Sequence, residues 1–302
     1  MVSLFIALRP SQWIKNFSLF AAAILNGQLT NPTIFVQSSL AFISFCLLSS
    51  SSYLVNDLRD IDNDRKHPFK KFRPIAHGDV SSSAAILTTA LLFFLGLSFA
   101  LSVNYGFFII ALVFILLQYS YSFIFKKKAV LDIIGISLFF IIRAYAGEIA
   151  TGYHLPVWIM LTVIFLSLFI ASGKRRSELF NTGAATRSAL HGYGKALINF
   201  YTTMFGVCTL VSYSLFTFFQ ENIKTQGIIT RFLLANNYFS AIDRKWYMIT
   251  IIPVIYGIMR YGQIIFEMQA GERPERVIAT DIPLMFSVLT WGLLIITIIY
   301  VL

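Results

Sequence analysis

Tyr53-Leu54-Val55-Asn56-Asp57-Leu58-Arg59-Asp60-Ile61-Asp62-Asn63-Asp64-Arg65 closes an apolar run over about residues 34–55. The run is long enough to cross a hydrocarbon core of about 30 Å, so the stretch puts a carboxylate cluster at a membrane boundary. If the helix continues, Asn56, Asp60 and Asp64 fall at i, i+4 and i+8 on one stripe, with Asp57 at its border and Asp62 turned away. Like charges so spaced repel, and carboxylates at membrane depth are costly unless compensated. Oxygen ligands without His or Cys select a hard cation, and Mg²⁺ is typically held by one or two carboxylates plus substrate phosphates. The competing reading is a solvated helix end with Arg59, Arg65 and Lys66 as counter-ions.

The rest of the chain agrees with a membrane protein. Of 302 residues, 57% are apolar and 13% charged, against about 45–50% and about 25% in soluble domains. Mean hydropathy is +0.73. Apolar runs at about 17–30, 34–55, 84–102, 107–125, 130–150, 157–173, 196–219, 246–266 and 284–301 predict an all-α, polytopic fold with nine transmembrane helices. Asn26 interrupts the first and Arg143 the fifth. With nine spans, 19 Lys and Arg fall on one side and 4 on the other, so the positive-inside rule places the N-terminus in the cytoplasm and the C-terminus outside. The net charge of +10 then records topology and calls for no nucleic-acid partner. Cys46 and Cys208 lie in apolar runs and read as core residues. No cleavable signal peptide is expected at the start. The segment with Ile228, Ile229, Phe232, Leu233 and Leu234 reads either as an interfacial amphipathic helix or as a covering loop.

After the acidic cluster, His67-Pro68-Phe69-Lys70-Lys71-Phe72-Arg73-Pro74-Ile75-Ala76-His77-Gly78 stops the helix and folds back. Lys70, Lys71 and Arg73 are placed to hold phosphate oxygens; their alternative is a purely topological charge. His67 and His77 as metal ligands are a weaker reading. Arg143, inside a span, either holds a lipid phosphate at a cavity wall or pairs with Asp132 or Glu148. Lys15, beside Trp13, either contacts a substrate phosphate or snorkels to head groups. Gly192 and Gly194 form no nucleotide-binding loop.

Asn56-Asp57-x-x-Asp60-x-x-x-Asp64 resembles the first aspartate-rich motif of the UbiA superfamily of intramembrane prenyltransferases, which implies nine helices around a central cavity opening to the cytoplasm, as one domain over 1–302. Lys126, near Tyr121, loosely resembles the superfamily's Tyr-x-x-x-Lys signature. The superfamily's second aspartate-rich motif, expected after span six, is replaced here by Ser172-Gly173-Lys174-Arg175-Arg176-Ser177-Glu178-Leu179. Three bases and one acid suit a second anion, not a second Mg²⁺ site. That departure, with Leu8-Arg9-Pro10-Ser11-Gln12-Trp13-Ile14-Lys15-Asn16, the stretch Asn56 to Gly78, Ile142-Arg143-Ala144-Tyr145-Ala146-Gly147, Thr182-Gly183-Ala184-Ala185 and Arg260-Tyr261, is similar to the decaprenyl-phosphate phosphoribosyltransferase branch.

The resemblance implies Mg²⁺-dependent transfer of 5-phosphoribosyl from phosphoribosyl diphosphate to a polyprenyl phosphate, with Mn²⁺ as a substitute ion. Asn56, Asp57, Asp60 and Asp64 are the expected metal ligands, the three aspartates carrying catalysis. Lys15, Tyr53, Lys70, Lys71, Arg73, Lys126, Arg143, Lys174 and Arg175 are the expected substrate contacts. The implied location is the plasma or inner membrane, and a homo-oligomer is compatible with it. Two rivals stand beside this: an aromatic prenyltransferase using a prenyl diphosphate, and a transporter with charges lining a pathway.

Overall fold

The computed structural model describes residues 2–66, 70–182, 188–220, 231–232, 235 and 244–302, and among them there is no strand. A short helix α1 (Val2–Ala7) leads into a 3-10 segment, Pro10–Phe20, and α2 (Ala21–Leu25). Then come α3 (Pro32–Arg59), α4 (Ile61–Lys66), α5 (Pro74–His77), α6 (Ser82–Val103), α7 (Tyr105–Phe123), α8 (Leu131–Thr151), α9 (Val157–Thr182) and α10 (Lys195–Phe219). The chain closes with α11 (Ile251–Phe266), α12 (Pro274–Thr280) and α13 (Ile282–Tyr300). Among the described residues, eight helices are long and apolar enough to cross a membrane.

The ninth expected span, 17–30, is not among those eight. Its place is taken by the 3-10 segment and α2. A 3-10 helix rises about 2.0 Å per residue against 1.5 Å in an α-helix, so this shorter stretch still covers about 30 Å. Its two ends meet opposite ends of the bundle. Arg9 reaches Asp57 at the foot of α3, whereas Asn26 donates to the His154 carbonyl at 3.0 Å and Tyr300, at the far end of α13, lies 3.2 Å from the Ile24 carbonyl. Gly147 permits this path, because a Cβ there would stand 2.5 Å from the Leu19 carbonyl oxygen.

Small residues bring α3 and α6 together. Ser44 Oγ donates to the Gly96 carbonyl at 2.8 Å, and a Cβ on Gly96 would stand 2.8 Å from Leu48, the close helix approach that packing in lipid favours. Phe45 stacks on Phe114 with ring centroids 4.5 Å apart. On the opposite flank, Tyr213, Phe216 and Tyr247 pack against Ile295, Ile298 and Ile299. Large apolar side chains such as Leu87, Phe94, Ile252 and Phe286 face outward, as lipid contact allows. An apolar groove of about 880 Å³ between α3, α6 and α7, lined by Val55, Phe93 and Leu116, carries no carboxylate.

One sequence expectation changes here. The basic string Lys174-Arg175-Arg176 is not on a loop: α9 runs on through it to Thr182, because Leu179 and its neighbours continue the buried face. The expected amphipathic segment around Ile228 and Leu233 lies outside the described residues except for Phe232, which is exposed. The Thr182–Ala185 string also lies mostly outside them.

Candidate active site

At the foot of α3, the helix pauses at Asp60 and resumes as α4. Backbone bonds from Asp60 to the Asn56 carbonyl, 3.0 Å, and from Asp64 to the Asp60 carbonyl, 2.8 Å, keep the helical path. Seven residues amount to nearly two full turns, so Asp57 and Asp64 come onto one line. Both are buried, at 3% exposure. The Arg73 Nη1 stands 3.0 Å from Asp57 Oδ1 and 2.7 Å from Asp64 Oδ2. A second guanidinium, Arg9 Nη2, contacts the same Asp57 oxygen at 2.5 Å and lies over the Tyr53 ring, 5.0 Å from its centroid. The buried pair is therefore Asp57–Asp64, not the Asn56–Asp60–Asp64 stripe. Asn56 and Asp60 are half-buried on adjoining turns, and Asp62 is open to solvent.

Arg9 is the contributor that sequence reasoning left out of the site. Its backbone sits at φ 55°, ψ 60°, a left-handed conformation uncommon outside glycine and found where surroundings over-determine it. Pro10 directly after it was the available hint, since the 3-10 segment starts there.

A second polar zone joins that segment to α12 and α9. Lys15 Nζ lies 2.5 Å from Gln12 Oε1 and 3.4 Å from Glu275 Oε2, while Gln12 Nε2 donates to Glu275 Oε1 at 2.8 Å. Burial opposes ionisation of Glu275, but Lys15, Gln12 and a backbone N–H outweigh it and hold the carboxyl below its usual range. Lys174 faces this zone: the charges acting on it are Arg175, Glu178, Lys15 and Glu275. It forms no ion pair among the described residues.

Arg143 is buried, and neither expected carboxylate meets it. Its Nε donates to Asn16 Oδ1 at 2.7 Å, its Nη1 to the Phe139 carbonyl at 2.6 Å, and the group lies over the Phe114 ring. Asp132 is taken by Arg175, and Glu148 Oε1 accepts from the Leu155 backbone at 2.7 Å. The pairing alternative for Arg143 is thus corrected: its charge is met by an amide, a carbonyl and a ring, and among the described residues no carboxylate pairs with it.

Arg175 departs furthest from expectation. It is 0% exposed. Its Nε stands 2.6 Å from Asp132 Oδ2 as an ion pair without hydrogen-bond alignment, its Nη1 bonds Glu178, and its Nη2 donates to Tyr121 Oη at 2.8 Å. Tyr193 donates to Asp132 Oδ1 at 2.6 Å and accepts from the Val130 backbone at 2.6 Å. Burial, then the bond to Asp132, pushes the Tyr193 phenol above its usual range. The expected substrate contact at Arg175 is replaced by a closed knot tying α8 to α9, because a fully buried guanidinium must be satisfied where it stands. Arg176 is likewise internal, held by Asn199 and the Ile265 carbonyl. Lys70 and Lys71 are exposed on the turn before α5, and Lys126 is half-buried in the turn after α7.

For a divalent ion the donor set is suitable but incomplete. Two buried carboxylates converge on one cationic nitrogen, the arrangement that a Mg²⁺ completed by substrate phosphates requires. Among the described residues no three carboxylate, histidine or cysteine side chains gather as a ready cage. Asp57 and Asp64 would hold the ion, with Asn56 and Asp60 on the neighbouring turns.

A decaprenyl-phosphate phosphoribosyltransferase of Mycolicibacterium smegmatis is 37% identical over 292 residues, covering 94% of this chain and 88% of the relative. Its counterpart in Corynebacterium glutamicum is 33% identical over 302 residues, covering 98% and 86%. The solved structure of a UbiA homolog from Archaeoglobus fulgidus bound to GPP and Mg²⁺ superposes with a TM-score of 0.64 at 20% identity, covering 98% of this chain and 99% of that one. The model of the UbiA prenyltransferase family matches residues 16–223, and the chain belongs to that family.

Proposed function

We propose that the protein transfers 5-phosphoribosyl from phosphoribosyl diphosphate to a polyprenyl phosphate, releasing diphosphate. The observation that carries this reading is the likeness, across nearly the whole chain, to relatives named for that activity. The geometry adds that the zone opposite the aspartates is cationic, with Lys15 and Lys174 around one carboxylate. That arrangement suits a phosphorylated second substrate better than an uncharged aromatic one.

In the reaction, an oxygen of the lipid phosphate attacks the anomeric carbon, the bond from that carbon to diphosphate breaks, and its electron pair leaves with diphosphate. The sugar passes through an oxocarbenium-like state, as in glycoside cleavage. Asp57 and Asp64 would hold a divalent ion, which would supply charge neutralisation to the leaving group. Arg73 and Arg9, partly exposed beside the carboxylates, are placed to hold diphosphate oxygens. Lys174 and Lys15 hold the second phosphate, offsetting repulsion between two anions; such positioning is worth several kcal/mol. The lipid phosphate is already ionised, so no general base is needed. Arg143 adds a fixed positive charge inside the bundle, held by Asn16 and the Phe139 carbonyl.

We read the basic end of the bundle, with Arg9, Arg73, Lys126 and Lys174, as cytoplasmic in the plasma or inner membrane. Membranes containing the protein, incubated with Mg²⁺, polyprenyl phosphate and radiolabelled phosphoribosyl diphosphate, should move label into the lipid phase. Labelling of an aromatic acceptor from a prenyl diphosphate instead would establish the rival.

A further inference from the structure

The groove between α3, α6 and α7 has a cation at one end and carbon along its walls. Ser51, Val55 and Arg59 line it from α3, Thr89 and Phe93 from α6, and Tyr119 from α7. Its volume, about 880 Å³, lies within the range of about 300–1,000 Å³ that ligand sites occupy. Two of its hydroxyls are spent on backbone: Ser51 Oγ donates to the Thr89 carbonyl at 3.3 Å and Thr89 Oγ1 to the Ala85 carbonyl at 2.7 Å. Arg59 closes the end nearest the acidic stretch. The sequence offers it as a counter-ion there, yet its contacts lie elsewhere. Its Nη1 donates to the Ser122 carbonyl at 3.3 Å, its guanidinium sits over the Phe123 ring at 4.3 Å from the centroid, and it pairs with no carboxylate among the described residues.

Eight residues separate Ser51 from Arg59, about 12 Å at 1.5 Å each, close to one leaflet's share of a hydrocarbon core of about 30 Å. Ile86 and Phe94, at the rim, are exposed, so the groove opens sideways from the bundle toward lipid. Ser51, Val55 and Arg59 recur at i, i+4 and i+8 and share one face of α3. Tyr53 and Asp57, which meet Arg9, each stand two residues from that row, about 200° round the helix. The groove therefore lies on the back of α3, away from the aspartates, and a lipid held in it is not the one that reacts. We propose that this groove binds an anionic phospholipid of the surrounding membrane, with its phosphate on Arg59 and one acyl chain along the walls. A guanidinium pairs with phosphate oxygens through two donors at once, and basic pockets between membrane helices suit anionic head groups. A lipid without net charge would leave Arg59 with no anion. The proposal does not depend on the phosphoribosyl reading.

The test titrates the full-length protein in detergent with dioleoyl phosphatidylglycerol, dioleoyl phosphatidylcholine or a polyprenyl phosphate, and counts bound lipid by native mass spectrometry. Wild type should hold one phosphatidylglycerol about tenfold more tightly than phosphatidylcholine, the worth of one hydrogen bond to a charged group, and its thermal midpoint should rise with phosphatidylglycerol concentration. Arg59→Gln should erase that preference. Ala90→Trp, which puts an indole into the groove from an exposed position, should weaken both phospholipids at least tenfold while the lipid-free midpoint stays near that of wild type. It decides the matter by itself if Arg59→Gln does not fold. Equal retention of the two phospholipids by wild type, or undiminished phosphatidylglycerol binding in the variants, overturns the proposal. Two further results overturn it by naming another occupant. A polyprenyl phosphate held more tightly than phosphatidylglycerol and lost in both variants would give the groove to the substrate lipid, and a changed oligomer mass in place of lost lipid would give it to a second copy of the chain.

Discussion

Two clusters in this protein are made from the same parts, aspartate against arginine, and do opposite things. In one, Asp57 and Asp64 are buried while Arg9 and Arg73 keep 29% of their side chains exposed. In the other, Asp132 and Arg175 are both at 0%. The first pair of arginines is partly open to solvent, as the diphosphate contacts proposed above need. The second cannot move without stranding a charge in the packed interior. Identical residue types therefore mark a candidate reaction centre in one place and a rivet in the other, and access decides which.

The largest effect expected from this contrast is at the open cluster. Asp57→Asn or Asp64→Asn should lower turnover by at least about a thousandfold, the loss of several kcal/mol of charge stabilisation, with the thermal midpoint in detergent little changed. A variant that unfolds instead would make the seam structural and collapse the contrast. At the closed knot, Arg175→Ala should cost about 3–5 kcal/mol of stability, because removing one partner leaves Asp132 buried and unpaired. Thermal unfolding of the purified variant measures it. A well-folded Arg175→Ala protein with a raised KM would restore the substrate contact read from the sequence.

Lys174 sharpens the comparison, since among the described residues it is the one base of its string without an ion pair or hydrogen bond. Lys174→Ala removes a charge-assisted bond of about 1.5–3 kcal/mol, so kcat/KM should fall by about one to two orders of magnitude. Its fold should be untouched, and the loss should sit in KM for a phosphorylated substrate. The smallest effect is at Asp62, where the Asn variant should stay within about twofold of wild type in steady-state assays, in line with exposed substitutions. Damage there equal to that at Asp57 would show that helical phase does not select the ligands.

The acidic stretch was legible because charge at a membrane edge has few inexpensive explanations, and the string Asn56 to Asp64 carries both period and chemistry. Spacing marked the stripe through Asn56, Asp60 and Asp64 with Asp57 at its border; burial and the contacts of Arg73 single out Asp57 with Asp64. Only the position of Arg73, folded back from α5, selects that pair. Arg9 and Glu275 escaped because each acts across the fold, 48 and 260 residues from Asp57 and Lys15 respectively, and no local spacing marks either. For Lys174-Arg175-Arg176, composition correctly gave the charge but could not tell which side chain faces inward, since successive helix positions turn by about 100°.

The sequence by itself determined that this is an all-helical membrane protein with an acidic motif at one face, because apolar length and charge are properties of the chain alone. Only the tertiary structure decided that residues 10–25 follow a 3-10 and then a short α path, that Arg143 meets no carboxylate among the described residues, and that Arg175 is sealed while Arg73 is partly exposed. Those outcomes depend on which neighbours desolvate a group and which satisfy it, and burial of a charge is a property of the packed helices rather than of any one of them.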